Sequence, residues 1–371
     1  MSAGTSTTLH SGHTHCHTRS RLPNFVLSQP LPHHFQRQSV KLTFPPCRRQ
    51  PERAGYVGHA ARLSVHAAAD PVVANTSHKV TTTVWRWEGY DIRVQQCGDS
   101  GPALVCVHGF GGNCAHWRKN LPVLGKEARV YAIDLLGYGY SDKPNPRLYE
   151  VNELYNFETW GRQLSAFIAE VVKEPAFLIC NSVGGIAGLQ AAVQDPEHVL
   201  GVQLQNVSLR MLHKKRQSAI QRPFVKALQT TLRTTPLGKL FFSQIATKKG
   251  VKSVLSQAYA DANQVTDELV DCILQPGLQE GAVDVFLDFI SYSGGPLAED
   301  LLEVIKQPVS ILWGAEDPWE KVEWGRKLQH YPTVEEFVAF PGVGHCPMDE
   351  APDLINPAIM KFVRRHAKSA V

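Results

Sequence analysis

The chain of 371 residues lacks any uninterrupted apolar run as long as the roughly twenty residues that a bilayer-spanning helix requires. The nearest candidate, residues 176–193, is interrupted by Asn181, Ser182 and Gln190. The sequence therefore excludes a transmembrane helix. At 43% hydrophobic residues it is too apolar for a disordered polymer and too long for one minimal domain. One large core with an appended subdomain is expected.

The cysteines have no ordered spacing along the chain. None of the eight cysteines forms a C-x-x-C pair, and their positions lack the spacing of a disulfide framework. Two cysteines lie in the first 69 residues, and the other six are expected to be small buried side chains in a reducing compartment. Cys346 adjoins His345 and could be a reactive thiol, but Ser182 has the stronger sequence context for a nucleophile.

An excess of basic residues is also missing from most of the chain. The formal net charge is +4, but residues 1–69 hold eight Lys/Arg and one acid, whereas residues 70–371 hold 30 Lys/Arg against 33 Asp/Glu. A nucleic-acid-binding domain is typically basic as a whole or along one face. No nucleic-acid partner is therefore expected.

The first 69 residues differ from the rest in composition. They are rich in Ser, Thr, Arg, His and Pro, and lack helical or strand periodicity. Such a segment is typical of an organellar transit peptide, and it has no compact apolar core like that of a secretory signal. Its early Ser/Thr content and the alanines at 67–69 favour a plastid. We predict that residues 1–69 are a plastid transit peptide, disordered or removed, and that the protein acts in the chloroplast stroma or at the thylakoid.

Eight short segments beyond the transit peptide have the composition of β-strands, bounded by glycine, proline or polar turn residues. They are residues 84–87, 90–96, 103–107, 130–133, 176–180, 201–207, 309–313 and 337–340. The first two read as a hairpin. Residues 157–172 carry apolar side chains at helical spacing between two of the later strands. Apolar strands alternating with helices predict an α/β fold, with a mostly parallel eight-stranded sheet covered by helices on both faces.

The strand pattern stops between residues 208 and 308, where helical patterns replace it. One of these helices is expected to begin after Thr266 as its N-cap. A further helix should start at Asn356 and Pro357 and close the chain. We predict a first core segment at 70–207, a helical cap at 208–308 and a second core segment at 309–371.

Distinctive residues follow four of the predicted strands, and the carboxyl ends of parallel strands meet at one edge of the sheet. A glycine-rich loop at 108–112 follows one strand, and Ser182 with two nearby glycines follows another. Asp317 and His345 follow the last two strands. The order Ser, Asp, His, with each residue at a strand end, points to one composite site.

These residue types suit nucleophilic catalysis. A serine hydroxyl is a poor nucleophile at neutral pH unless a base accepts its proton and a third group orients that base. Ser182 would be the nucleophile, His345 the base and Asp317 the orienting acid. The backbone amides of Val183, at a helix start, and Phe110, in the glycine loop, would stabilise an oxyanion. An N-cap role for Ser182 and a turn role for Asp317 are the simpler alternatives.

With these motifs in order, the sequence resembles the α/β-hydrolase superfamily from about residue 84 to residue 366. The resemblance rests on the H-G-x-G loop, the segment D-L-L-G-Y-G-Y-S at 134–141, the serine turn, the D-P turn and the G-H turn. Within the superfamily it is most similar to plastid members such as pheophytinase and chlorophyll dephytylase. That resemblance implies hydrolysis of a lipophilic carboxylic ester, with a phytylated pigment as the leading candidate, and no metal or organic cofactor.

Two departures from the usual pattern bear on this interpretation. The serine turn usually reads G-x-S-x-G, but Cys180 occupies the first position here. Relatives with an aspartate nucleophile act on haloalkanes or epoxides, chemistry that Ser182 cannot perform. Two alternatives remain open: carbon–carbon hydrolysis of a vinylogous diketone, which similar serine members perform, and a non-catalytic ligand receptor.

Several residues around the loops are candidates for contact with substrate. Trp117, Asn181 and Trp319 are assigned to the substrate pocket, although core packing is an equal alternative for Trp117. Residues 208–252 contain eleven Lys/Arg and no acid, interleaved with apolar residues. This segment is either a solvated helical face or a peripheral contact with a plastid membrane. The sequence gives no indication of oligomeric state.

Overall fold

The computed structural model describes residues 79–150, 153–210 and 212–367. The predicted transit peptide lies outside these residues. Eight strands form one sheet in the order β1-β2-β4-β3-β5-β6-β7-β8. Their bounds are β1 Thr81–Trp87, β2 Tyr90–Cys97, β3 Ala103–Val107, β4 Arg129–Ile133, β5 Ala176–Asn181, β6 Val199–Gln205, β7 Val309–Gly314 and β8 Val334–Phe340. Only the β1–β2 and β2–β4 pairs are antiparallel, which confirms the predicted mostly parallel eight-stranded sheet.

The antiparallel hairpin at the start is also confirmed. Its two-residue turn consists of Glu88 and Gly89, which have φ values of 48° and 87°. Positive φ at both central residues matches the twist of the flanking strands, and glycine adopts this conformation without strain.

Helices cover both faces of the sheet. Their bounds are α1 Leu121–Leu124, α2 Phe157–Phe167, α3 Val183–Gln194, α4 Gln221–Thr234, α5 Pro236–Ile245, α6 Lys248–Ala258, α7 Asp267–Gly277, α8 Ala282–Ile290, α9 Ala298–Leu302, α10 Val322–Gly325, α11 Pro347–Glu350 and α12 Pro352–Ala367. Side chains alternate along the fully buried strand β3: Val105 belongs to one buried apolar cluster, and Leu104 and Cys106 belong to another. Because both faces of the strand are covered by apolar clusters, it contains no polar residue.

Helices α4 to α9 all lie between β6 and β7, within the range predicted for the cap. We call residues 208–308 the insertion; its exact boundaries stay a prediction. Thr266 caps α7 as expected, accepting a hydrogen bond from the Leu269 amide at 3.2 Å. No residue of α4 is buried, although its sequence carries a strong apolar stripe.

The closing helix begins earlier than predicted. It starts at Pro352, so Pro357 lies inside α12 instead of at its start. Proline is favoured in the first turn because the first amides of a helix have no intrahelical partner. Pro352 occupies this favoured position, and Pro357, five residues later, had suggested a later start. The predicted inner face, Ile359, Phe362 and Val363, is fully buried.

Candidate active site

Ser182 lies in the turn between β5 and α3, in a backbone conformation that L residues rarely adopt. Its φ is 55° and its ψ is −123°. Such a turn needs neighbours without side chains. A Cβ on Gly184 would lie 2.4 Å from the carbonyl oxygen of His108, and one on Gly185 would lie 2.7 Å from a methyl group of Val207. The two glycines therefore let α3 start directly against the neighbouring strand ends.

Cys180 departs from the usual glycine, and the structure shows what accommodates it. A Cβ built on Gly188 of α3 would lie 2.4 Å from the Cys180 sulfur. The sulfur thus occupies space that the glycine leaves free. Helix α3 therefore still packs closely on the sheet, although a residue larger than glycine occupies the first position of the turn.

Gly188→Ala is therefore expected to destabilise the protein by about 1–3 kcal/mol through overpacking. In a Cys180→Ala background the cost should nearly vanish, because the nearest remaining atom would be the Cβ at 3.6 Å. Urea unfolding of the four proteins gives the coupling free energy of this pair. Additive effects of the two substitutions would contradict the packing argument.

The three candidate catalytic side chains form one hydrogen-bonded chain. The distance between Ser182 Oγ and His345 Nε2 is 3.0 Å, and that between His345 Nδ1 and Asp317 Oδ2 is 2.6 Å. Burial alone would raise the pKa of Asp317, but the hydrogen bond from His345 and those from two backbone amides outweigh it, and the pKa lies below its usual value. An ionised Asp317 can only accept, so Nδ1 carries the proton and Nε2 is free to accept from Ser182.

Asp317 has three further donors, one of which sequence analysis overlooked. Its Oδ1 accepts from the amides of Trp319 (2.9 Å) and Glu320 (3.0 Å), and its Oδ2 accepts from Asn206 Nδ2 at 2.7 Å. Asn206 follows β6 and also accepts from the Gly314 amide at 2.8 Å. No local sequence pattern marks Asn206, because its partner Asp317 lies 111 residues away.

The loop after β3 is fixed by His108. Its Nε2 accepts from the Leu135 amide at 3.1 Å, so Nδ1 carries the proton and donates to the Gly109 carbonyl at 2.8 Å. Burial lowers the pKa of His108, which favours this neutral form. The loop places Phe110 beside Ser182 and Val183 in the lining of one cavity. Both residues proposed as oxyanion donors thus line the same cavity as the serine.

That cavity has a volume of about 530 Å³ and extends from Ser182 into the insertion. Most of its lining is apolar, with Phe242, Phe286 and Phe289 contributing aromatic rings. Trp319, which is 42% exposed, also lines it and packs edge-on against His345 with ring centroids 5.0 Å apart. A cavity of this size and polarity is typical of a small-molecule site.

The surroundings of Trp117 and Asn181 differ from those expected of residues that only contact substrate. Trp117 is fully buried in the apolar cluster with Leu121 and does not line the cavity, so its assignment to the pocket is wrong. Asn181 lines the cavity, but its Nδ2 donates to the carbonyls of Gln205 and His345, both at 3.1 Å. Asn181 therefore joins the strand end to the histidine loop.

Glu320 is a second residue that sequence analysis overlooked. Its Oε1 accepts from the Ser208 hydroxyl (3.1 Å) and the Leu209 amide (3.0 Å), while Oε2 is buried without a partner among the described residues. Burial raises the pKa of Glu320 to about 7. The residue lines the cavity near His345, yet nothing in the sequence distinguishes it from a surface acid.

This raised pKa predicts a pH-dependent stability. In the unfolded chain the pKa of Glu320 is near 4.5, so between about pH 4.5 and pH 7 the folded chain keeps a proton that the unfolded chain releases. The free energy of unfolding therefore falls as pH rises through this range. Glu320→Gln should exceed wild type in stability by about 1–3 kcal/mol at about pH 8, and the gain should shrink towards about pH 5. Urea unfolding across this range measures it, with the exposed Glu323→Gln as control. A gain independent of pH would contradict ionisation as the cause.

Among the described residues, no group of three or more His, Cys, Asp or Glu is arranged to hold a metal ion. Cys346 is buried, and burial raises its pKa well above the usual value, which disfavours the reactive thiolate. The described helices include none long and apolar enough to cross a membrane.

The sheet order and the serine turn at the end of β5 together define the α/β-hydrolase architecture. The model of the alpha/beta hydrolase family matches residues 104–358, and the chain therefore belongs to this family. Membership confirms the resemblance drawn from the sequence motifs.

Known proteins of several activities are similar to this chain. Chloroplastic pheophytinase of Arabidopsis thaliana is 26% identical over an alignment of 312 positions that covers 71% of this chain and 61% of that protein. The 2-hydroxymuconate semialdehyde hydrolase of Pseudomonas sp. (strain CF600) is 25% identical over 67% of this chain and 82% of its own. The solved structure of a serine hydrolase involved in carbazole degradation aligns with a TM-score of 0.61 at 19% identity, covering 77% of this chain and 99% of that one. This last likeness concerns the fold.

Proposed function

We propose that this protein is a serine-dependent hydrolase of lipophilic carboxylic esters in the plastid. The observation that carries the proposal is the Ser182–His345–Asp317 hydrogen-bonded chain at an apolar cavity. Acyl transfer from a lipophilic ester requires a hydroxyl nucleophile, a base in the correct tautomer and an apolar pocket that excludes water.

In the proposed mechanism, Ser182 Oγ attacks the ester carbonyl while His345 Nε2 accepts its proton. The amides of Val183 and Phe110 donate to the oxyanion, and each such donor is worth about 3–4 kcal/mol of barrier in comparable sites. His345 then protonates the leaving alkoxide, and the acyl group stays on Ser182. Water, deprotonated by His345, attacks the acyl-enzyme and regenerates the serine.

The cavity also argues for a neutral substrate. Lys143 lines it but gives all three ammonium hydrogens to Gly139 O, Ser141 O and Gln279 Oε1. Arg210 lies over the rings of Phe157 and Tyr292 and donates to two carbonyl groups. With these cations already engaged, the lining favours an uncharged lipophilic ester. A phytylated pigment is the leading candidate, supported by the similarity to a chloroplastic pheophytinase.

To test this proposal, the full chain and its Ser182→Ala variant are incubated in detergent with pheophytin, chlorophyll and a panel of lipid esters. Released alcohol and acid are identified by mass spectrometry. Serine-dependent release of phytol would support both the ester reaction and the pigment. Release from other esters alone would keep the chemistry and reject the pigment.

Carbon–carbon hydrolysis of a vinylogous diketone is the second candidate, favoured by the similarity to 2-hydroxymuconate semialdehyde hydrolase. It would be supported by serine-dependent cleavage of such a diketone with no ester turnover. A non-catalytic receptor would show no turnover and a large ligand-induced rise in melting temperature.

A further inference from the structure

Helices α4 and α5 present an apolar surface that no described part of the chain covers. It consists of Ile220, which directly precedes α4, together with Phe224 and Leu228 of α4 and Leu237 and Leu240 of α5; these side chains are 78%, 72%, 61%, 57% and 59% exposed. We call these five residues the α4–α5 face. Several large exposed apolar residues on two consecutive helices are uncommon in a monomer and mark an interaction surface.

The opposite side of each helix faces the protein. On α4, Gln229 donates to the Ile290 carbonyl at 3.0 Å, and Arg233 pairs with Asp288 at 2.8 Å. On α5, the Phe242 ring packs against Phe286 with centroids 5.1 Å apart. Both helices are therefore anchored to α8 by one side, and the apolar face on the other side is a second, separate stripe.

The charges around this face have one sign. Residues 208–252 contain eleven Lys/Arg and no acid. Several of these cations pair with acids of later helices, but Arg222, Lys226, Lys239 and Lys249 are exposed and form no ion pair within the described chain. Unpaired cations beside exposed apolar side chains complement an anionic bilayer, which offers phosphate groups above a hydrocarbon layer.

The same part of the insertion also lines the cavity. Phe242 and Ile245 of α5 line it from within. Leu212 and Val254 line it as well and are themselves exposed to solvent. An apolar path thus leads from exposed residues of the insertion towards Ser182.

We propose that the α4–α5 face docks the protein on the surface of an anionic lipid bilayer, with Ile220, Phe224 and Leu228 inserted among the acyl chains. The cations beside the face contact lipid phosphates, and a lipophilic substrate enters the cavity from the bilayer. Only this entry step rests on the proposed ester hydrolysis; docking itself does not.

The test is co-sedimentation of the full chain with mixed phosphatidylcholine–phosphatidylglycerol vesicles and with pure phosphatidylcholine vesicles. Residues 1–69 are themselves basic, so the decisive quantity is the change caused by Ile220→Ser/Phe224→Ser/Leu228→Ser. We expect about tenfold or greater loss of affinity for the mixed vesicles. The matched control is Val84→Ser/Leu148→Ser/Leu354→Ser, whose residues are 66%, 80% and 53% exposed elsewhere. This control should bind like wild type.

Charge is tested separately. Lys226→Glu/Lys239→Glu should lose about fivefold in affinity for each cation, and the loss should shrink as salt is added. The exposed Lys126→Glu/Lys327→Glu is the control. Turnover of a short water-soluble ester should be the same in every variant, which separates a failure of docking from a failure of catalysis.

Two results would overturn the proposal. One is equal vesicle binding by wild type and the triple serine variant of the face. The other is a concentration-dependent dimer in analytical ultracentrifugation that the triple variant abolishes, because the occupant of the face would then be a second copy of the chain.

Discussion

Ser182→Ala is expected to lower kcat for ester hydrolysis by about a million-fold. The substitution removes the only oxygen within hydrogen-bonding distance of His345 Nε2 in the described structure, at 3.0 Å. It leaves the cavity and the backbone amides in place, so substrate binding should persist. Stopped assays with a soluble ester, together with a binding measurement on the same variant, separate the two quantities.

Two controls make this result specific. The exposed Ser253→Ala should keep wild-type kcat, which excludes a general effect of removing a serine. Ser182→Ala/His345→Ala should be scarcely slower than Ser182→Ala alone, because the two side chains act as one unit and their effects do not add. A fluorophosphonate probe should add its mass to the peptide containing Ser182. Retention of more than about a tenth of kcat in Ser182→Ala would contradict its role as nucleophile.

The general arrangement of the site could be predicted from the sequence because it depends on strand ends. Apolar runs identified β3, β5, β7 and β8, and the residues after each run were brought together by parallel pairing. Ser182, Asp317 and His345 therefore met in space as the order of motifs indicated. The glycines after Ser182 indicated the turn because steric exclusion is a local property of the chain.

What the sequence missed depends on contacts between distant residues. Asn206 binds Asp317 across 111 positions, and no local pattern marks such a pair. The burial of Trp117, the raised pKa of Glu320 and the room that Gly188 leaves for Cys180 arise in the same way, from packing between elements. Each is decided by three-dimensional surroundings rather than by neighbours in sequence.

The exposed stripe of α4 illustrates a different limit. Apolar residues at helical spacing correctly indicated a helix, but periodicity does not say whether the apolar side meets the core or another partner. Here the polar Gln229 and Arg233 contact α8 instead. The sequence could show that one side of the helix is apolar, and only the structure showed that this side is exposed.

Asp317→Asn is expected to lower kcat by about 10⁴-fold while the protein stays folded. In the wild type every donor around this carboxylate points at an acceptor: the two backbone amides at Oδ1, and His345 and Asn206 at Oδ2. An asparagine has one acceptor oxygen, so its amide group must face a pair of donors whichever way it is turned. If the amide faces His345, the histidine must move its proton to Nε2, which can then no longer accept from Ser182.

The variant is measured by kcat and by circular dichroism, with Glu316→Gln as the control because Glu316 is the adjacent, exposed acid. Substrate affinity should change little, since Asp317 reaches the substrate only through His345. Asn206→Ala should give a smaller loss in kcat, because it removes one donor from the carboxylate but leaves its charge and its bond to His345. If Asp317→Asn kept kcat within about tenfold of wild type, the aspartate would not determine the histidine tautomer, and another group would have to orient the base.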